Sequence, residues 1–363
     1  MLAARIPRAQ LRSGRLVSAI YLRSFSSSHH LYKQTPAIGD ISPTKDSVSE
    51  FNQKQREFRQ KLLETSKFRD KELAKELEGT PRDQIYVPAG LSQGLGSLST
   101  ATEAEKLGIK DEPGKKQGKL SSLIYGTKEG REMDAQIEAS FSAILARGKY
   151  VHSIVFHDVK PDKVDEYSAL VGEFYPHMAR LSENKVNLVG SWRTEIGDSD
   201  TFVHIWEYRR YQGYHESRHA ITHHPDYKDF ITKLRPMINS KKISLMQEFS
   251  FWPTSPPREL GGLFELRSYT LHPGNLLEWE HHWRRGLEAR REVMEGVGAW
   301  FVQVGELNTI HHLWQFANLE ERKLQREKSW SVKGWSETVH KTVPLIQNMK
   351  SRIMIPMPWS PVR

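Results

Sequence analysis

The chain has 363 residues, with 53 Lys and Arg against 44 Asp and Glu, a formal excess of 53 − 44 = +9. That balance invites nucleic acid or an anionic membrane as partner, whereas 37% hydrophobic residues, including 10 Trp, 12 Tyr and 14 Phe, exclude a wholly disordered chain. The absence of cysteine excludes disulfides, thiolate zinc or iron–sulfur sites and cysteine nucleophiles.

The first acidic residue is Asp40, and before it stand Arg5, Arg8, Arg12, Arg15, Arg23 and Lys33, interleaved with Leu2, Ile6, Leu11, Leu16, Val17 and Ile20. An acid-free, Arg-rich amphipathic segment is the composition of a mitochondrial transit peptide, here expected over residues 1–33. A helix with one cationic and one apolar face suits import driven by a negative-inside potential. Six of the nine excess charges lie in this segment, so the remainder carries only 9 − 6 = +3. The high net charge is therefore no argument for nucleic acid as a partner.

Residues 34–121 are expected to form a charged helix followed by a flexible linker. Ser47 and Glu50 have capping-box spacing, and Phe51, Phe58, Leu62, Leu63, Leu73 and Leu77 follow among charges up to Gly79. From 79 to 121 the chain is rich in Gly, Ser, Pro and Lys, which cannot bury enough apolar area to fold. Residues 122–147, with a helical pattern from Lys128 to Arg147, lead into the folded part. No stretch holds 18 consecutive apolar residues, so no transmembrane helix is predicted, although peripheral membrane association is compatible with the sequence.

From residue 150 the sequence repeats. Pro161/Pro273 and Tyr167/Trp279 are separated by 112 positions; Trp192/Trp300, Gly197/Gly305, His204/His312, Trp206/Trp314, Pro236/Pro344 and Met246/Met354 by 108. Landmarks in one order with a single change of length predict two tandem domains, 148–252 and 261–361. Each predicts a strand (150–159; 263–271), a helix opened by its Pro, two strands (185–196 and 201–208; 298–305 and 309–316), a long helical region and a final strand (243–252; 351–357). That β-α-β-β-α-β order is the ferredoxin-like split βαβ. The strands are apolar on both faces, as in Phe202, Trp206 and Tyr208 against Val203 and Ile205, so the second face needs a cover. The sheet of the other copy supplies one. The predicted fold class is α+β: two ferredoxin-like domains forming a dimeric α+β barrel as an intrachain pseudo-dimer, behind a disordered and helical N-terminal region.

The runs LFELRSYTLHPGNLLEWEHHW, VGAWFVQVGELNTIHHLWQFANLEER and VPLIQNMKSRIMIPMPWSP, with VHSIVFHDVKPDKVDEYSAL and LVGSWRTEIGDSDTFVHIWEY in the first copy, resemble the NIPSNAP family over roughly residues 122–363. The resemblance implies a mitochondrial protein, in the matrix or membrane-associated, with no established catalysis. It further implies a binding or adaptor role in mitochondrial quality control (mitophagy) or vesicle-related processes, and protein partners that include autophagy proteins and their cargo receptors. The wider barrel superfamily includes haem-degrading and quinol monooxygenases, so the alternative is a haem- or small-ligand-binding protein with monooxygenase activity. Fold alone does not decide between them.

No GxxxxGK[ST] phosphate loop, no GxGxxG after a strand and no GxSxG at a strand-to-helix elbow is present. No catalytic residue and no cofactor is assigned, haem being the alternative. His204 and His312, beside Trp206 and Trp314, are the candidate ligand-binding residues, expected to face the barrel interior, and His311 must then face the other way. An interior closed by Trp192, Trp206, Trp300 and Trp314 would argue for a scaffold; an open polar pocket beside His204 or His312 would argue for a ligand. His215, Glu216 and His219 match the HExxH zinc motif, but the second copy has Lys323, Leu324, Gln325, Arg326 and Glu327 there, so a surface helix without metal is expected. Phe141 to Ile144 and Tyr167 to Leu170 have the aromatic-x-x-aliphatic form that autophagy proteins bind in extended conformation, yet both lie in predicted helices. A free sheet edge would permit homo-oligomerisation.

Overall fold

A computed structural model describes residues 35–78, 150–249, 251–252 and 254–363. The transit peptide expected over 1–33, the linker at 79–121, the helical lead-in and the Phe141 to Ile144 string lie outside the described residues.

Helix α1 (Lys45–Glu78) is followed by strand β1 (Tyr150–Val159), α2 (Val164–Arg180), β2 (Val186–Ile196), β3 (Thr201–Arg209), α3 (Arg210–His223), α4 (Tyr227–Leu234) and β4 (Ile238–Glu248). The second copy repeats the order with β5 (Leu263–Leu271), α5 (Leu276–Val293), β6 (Glu295–Val304), β7 (Thr309–Phe316), α6 (Leu319–Ser331), α7 (Trp335–Thr342) and β8 (Ile346–Pro356). The eight strands close into one antiparallel barrel in the order β1-β3-β2-β8-β5-β7-β6-β4. Every strand has a neighbour on each side, but β4 meets β6 only through 245–248 and β8 meets β2 only through 353–356, so the free edge left open by the sequence is confined to the first halves of β4 and β8.

The register carries the duplication. Ser153 pairs with Trp206 in the first copy and Glu265 with Trp314 in the second. The two seams between copies are also equivalent: Trp192 opposes Pro356, and Trp300 opposes Glu248. A bulge follows Leu188 in β2 and Gly296 in β6, and just past it Gly190 and Gly298 lie under the rings of Trp192 and Trp300. A Cβ at Gly190 would sit 2.3 Å from the Trp192 ring, so only glycine lets the indole fold back over its own strand.

Strand alternation sorts the core into three. Ile154, Trp192, Val203, Ile205, Met246, Phe264, Leu266, Trp300, Leu313 and Met354 fill the barrel. On the outer face of the first sheet, Val155, Phe202, Trp206 and Tyr208 pack under Tyr167, Val171, Phe174 and Met178 of α2 and Phe230 of α4. On the second, Tyr269, Ile310, Trp314 and Phe316 pack under Trp279, Trp283 and Leu287 of α5. Burying one such aromatic side chain is worth about 1.5–3 kcal/mol.

Several elements differ from expectation. Helix α1 starts at Lys45, capped by Thr44: the Ser47 N–H donates to Thr44 Oγ1, while the Ser47 hydroxyl donates to the carbonyls of Ser42 and Thr44. The capping box at Ser47 and Glu50 is thus one turn too late. Val48, Phe51 and Phe58 pack with Leu260 and Ala317, but Leu62 and Leu63 are exposed. Pro161 opens a short 3-10 turn before α2, whereas Gly274 at φ +89° separates Pro273 from α5, so the second Pro opens no helix. The final strands begin at Ile238 and Ile346, several residues before the expected starts, because their first halves are polar and exposed on both faces.

The segment before α1 straps the copies together. Thr35 donates through N–H and hydroxyl to Asp165 Oδ1 of α2 (3.2 and 2.6 Å), while Ile38 and Ile41 pack on the second copy's helix-facing core. Among the described residues no helix is long and apolar enough to cross a membrane.

Candidate functional site

His204, Trp206, His312 and Trp314 do not face the barrel interior. They lie on the outer faces of their sheets, beneath the helices, with Phe202 and Phe316. The inward residues of β7 are Thr309, His311, Leu313 and Gln315, so the imidazole that reaches the inner side is His311. Of the four tryptophans expected to close the interior, Trp192 and Trp300 do so; Trp206 and Trp314 belong to the helix-facing layers.

In the first copy this layer holds a buried polar chain. His157 Nδ1 is 2.6 Å from the Tyr167 hydroxyl, which is 2.9 Å from His204 Nε2, and His204 Nδ1 is 2.9 Å from Ser191 Oγ. All four residues are buried. The tyrosine is presented by the inward stripe of α2, and the histidines by adjacent β1 and β3. Burial, reinforced by the Lys241 charge, pushes His204 down to about 3. Burial and neighbouring His204 lower His157 as well, and burial holds the Tyr167 phenol well above 10. Neutral imidazoles and a neutral phenol can pass one hydrogen-bond proton along but carry no charge. Tyr167→Phe is expected to cost about 1–3 kcal/mol by orphaning two buried ring nitrogens; thermal melts on the variant check it, and an unchanged midpoint would remove this role.

Beside the chain, Tyr175, Trp206, Tyr208, Tyr214, Arg218 and Lys241 line a cavity of about 60 Å³. Burial pushes Tyr208 up to about 12, partly offset by a hydrogen bond with Ser153. In the second copy His312 Nδ1 accepts from Trp314 Nε1–H at 2.6 Å, Tyr269 replaces His157, and Trp279 replaces Tyr167. The two histidines are therefore equivalent in position and unlike in chemistry.

Haem fits this arrangement poorly. Both nitrogens of His204 are engaged, and ligand sites usually occupy about 300–1,000 Å³, far more than the adjoining cavity offers. His312 keeps an unpartnered Nε2, but it is packed between Tyr269 and Trp283, with ring centroids 4.8 and 5.0 Å away.

A larger, polar opening of about 600 Å³ lies at one mouth of the barrel. Its lining is duplicated: Asp158 and Thr270, Asp198 and Glu306, Thr201 and Thr309, Lys242 and Lys350 are repeat equivalents. His311 and Arg352 set its floor, with Arg352 on Asp198 at 2.8 Å and His311 pushed down to about 3 by burial and by Arg352. Sequence reasoning missed this opening because its residues come one to three at a time from six strands and two turns far apart in the chain.

His215, Glu216 and His219 sit on the exposed side of α3; Glu216 accepts from Gln212 and Lys185, and His219 stacks on His223 with centroids 4.1 Å apart. The grouping with metal-ligand spacing among the described residues is a different one, His177, His224 and Asp226 on the surface. There the Asp226 N–H donates to His224 Nδ1 at 3.3 Å, so one ligand atom is already engaged. Tyr167, the first residue of the Tyr167 to Leu170 string, is wholly buried in α2 and cannot be presented as an extended peptide.

Two stretches, residues 154–253 and 264–361, each match the family model described as NIPSNAP. The protein named NipSnap homolog 1 of Danio rerio is 37% identical over 250 residues, covering 68% of this chain and 88% of that protein. NipSnap homolog 2 of Mus musculus is 34% identical over 285 residues, covering 78% of this chain and 97% of that protein. A solved structure described as a putative monooxygenase, from Lactobacillus acidophilus, shares 12% identity at a TM-score of 0.45, covering 57% of this chain and 94% of its own. At that level the likeness says nothing about activity.

Proposed function

The chain belongs to the NIPSNAP family, and from that premise we propose that it is a non-catalytic mitochondrial binding or adaptor protein, acting in mitochondrial quality control (mitophagy) or in vesicle-related processes. The observation that carries this reading is the filled barrel: Trp192, Phe264, Leu266, Trp300 and Leu313 from both copies occupy the volume where a substrate would otherwise sit. The acid-free basic segment before Asp40 supports the mitochondrial address. With Tyr167 buried, partner docking falls to surface side chains or to residues 34–121 rather than to the Tyr167 to Leu170 string.

Proximity labelling from the full-length protein in cells tests the adaptor reading. Enrichment of autophagy receptors or membrane-traffic proteins after mitochondrial damage supports it, and labelling that is the same with and without damage overturns the quality-control assignment. Residues 1–33 fused to a reporter should carry it into mitochondria; a cytosolic reporter would remove the localisation.

The second reading, a small-ligand or haem-binding barrel, draws support from the His157, Tyr167 and His204 chain beside the helix-layer cavity. A visible chromophore in purified protein, lost in His204→Ala, would favour it over the scaffold.

A further inference from the structure

The helix-facing layer of the second copy departs from the first in charge. Glu265 has no exposed surface, and its Oε1 accepts from Arg267 Nη1 at 2.8 Å, Arg322 Nη2 at 2.7 Å and Ser351 Oγ at 2.7 Å. Its Oε2 accepts from Arg322 Nε at 2.8 Å, so the carboxylate is saturated by two guanidinium groups. Arg267 also donates from Nε to the Tyr269 hydroxyl.

Two further arginines stand in the same layer without a carboxylate among the described residues. Arg290, on the inner side of α5 and only 6% exposed, donates from Nε to Met294 Sδ and lies 4.2 Å above the Trp335 ring. Arg326 of α6 has a buried Nη1 with no hydrogen-bond partner. Burial, then the like charge of Arg326, bring Arg290 down to about 9, while burial and the charges of Arg267 and Arg322 lower Arg326. Arg290 also lies 5.6 Å from the ring of Trp314, the residue opposite Glu265 across β5 and β7, so among the described residues four guanidinium groups share one carboxylate, a local excess of three charges. An ion cluster that merely fastened α6 to the sheet would account for Arg267, Arg322 and Glu265. It would not account for Arg290, held only by a thioether and two indole rings, or for the buried Nη1 of Arg326, since a buried cationic group without an anionic partner is costly.

Nor does the fold require them. At the equivalent positions the first copy has Ser153 for Glu265, Val155 for Arg267 and Tyr214 for Arg322, and only Arg218 answers to Arg326. There the same place is the small cavity lined by tyrosines, and the layer packs without an ion cluster.

We propose that the second copy holds an oxyanion site in which Arg290 and Arg326, with Arg267 and Arg322 fixed by Glu265, bind a phosphate group. A phosphate monoester dianion offers acceptors to two guanidinium forks and offsets two of the three excess charges, where a carboxylate would offset one. The site goes beyond the adaptor reading and does not depend on it. Arg322, with 23% of its side chain exposed, marks the side from which the ligand enters.

The test titrates inorganic phosphate into the full-length protein, following the thermal midpoint and tryptophan emission, with chloride at matched ionic strength as control. Phosphate should raise the midpoint saturably where chloride does not, because a ligand that binds only the folded chain stabilises it by mass action. Arg326→Gln and Arg290→Met should abolish the phosphate-dependent rise whatever their own stability, whereas Arg218→Gln in the first copy should keep it. If Arg326→Gln does not fold, Arg326→Lys should weaken the response about tenfold, since it keeps the charge and loses the fork. An equal rise with chloride, or a full response in Arg326→Gln, overturns the proposal. Co-sedimentation with phosphatidate-containing vesicles that Arg326→Gln loses would identify a lipid headgroup as the source; a phosphate response without vesicle binding would identify a soluble phosphate ester.

Discussion

Glu295→Ala is expected to lower stability by about 3–5 kcal/mol, the cost of stranding a buried cation by removing its partner. Glu295, at the start of β6, is 5% exposed. Its Oε1 accepts from Arg258 Nη1 at 2.6 Å, and the Arg258 side chain has no exposed surface. Its Oε2 accepts from Arg59 Nε at 2.8 Å and Gln55 Nε2 at 3.0 Å, both from α1. Arg258 is moreover tied to the carboxy terminus: its N–H donates to Pro361 O, and its carbonyl accepts from the Arg363 N–H. One carboxylate thus joins α1, the connection between copies and β6. At about 2–4 °C per kcal/mol for a body of this size, the melting temperature should fall by roughly 6–20 °C. Limited proteolysis should then cut within Lys45–Glu78 before the barrel. The double change Glu295→Met with Arg258→Met removes the stranded charge and should recover most of the loss. A single variant that melts with the parent would show that the pair is solvated.

Acid should unfold the protein as the unfolded chain's histidines take up protons that the folded chain refuses. His157, His204, His311 and His312 are all buried, and burial lowers each, His204 and His311 to about 3. A folded pKa below the unfolded value means that the unfolded chain takes the proton first as pH falls. The stabilising contribution is therefore intact above about pH 6.5 and is lost from there down towards pH 3, at about 1.4 kcal/mol per pH unit per group. Between pH 6.5 and 4.5, His204 and His311 alone remove roughly 5 kcal/mol, comparable with the whole stability of many domains, about 5–15 kcal/mol. Far-UV circular dichroism against pH should show loss of structure between about pH 5 and 4. His311→Asn should move that midpoint to lower pH. Equal urea midpoints at pH 7.5 and 4.5 would refute the argument.

The tandem barrel was legible because duplication writes each landmark twice: Trp192 and Trp300, or Gly197 and Gly305, fix equivalent turns and strands at a constant offset. The direction of the histidines was not. In β3 both faces are apolar, Val203 and Ile205 against Phe202 and Trp206, and in β7 the more polar face, Thr309, His311 and Gln315, turns inward, so period-2 alternation does not mark the outside. Alternation alone consequently puts His204 inside and His311 outside, the reverse of the structure. Glu265 and Arg267 were visible as charges inside an apolar strand, but Arg322 and Arg326 read as one face of an ordinary polar helix. Only the folded layer brings them to one carboxylate.

Closing the barrel also decides how the protein can be read by others. In β1, β3, β5 and β7 both flanks are spent on neighbours, so a main-chain template for a partner is confined to the one-sided first halves of β4 and β8, 238–244 and 346–352. Over the rest of the barrel recognition falls to side chains on the helices and at the barrel mouths, or to the segments outside it. Contacts of that kind depend on residue identity rather than on backbone shape, so single substitutions at Lys242 or Lys350 can retune a binding surface while the fold beneath stays fixed.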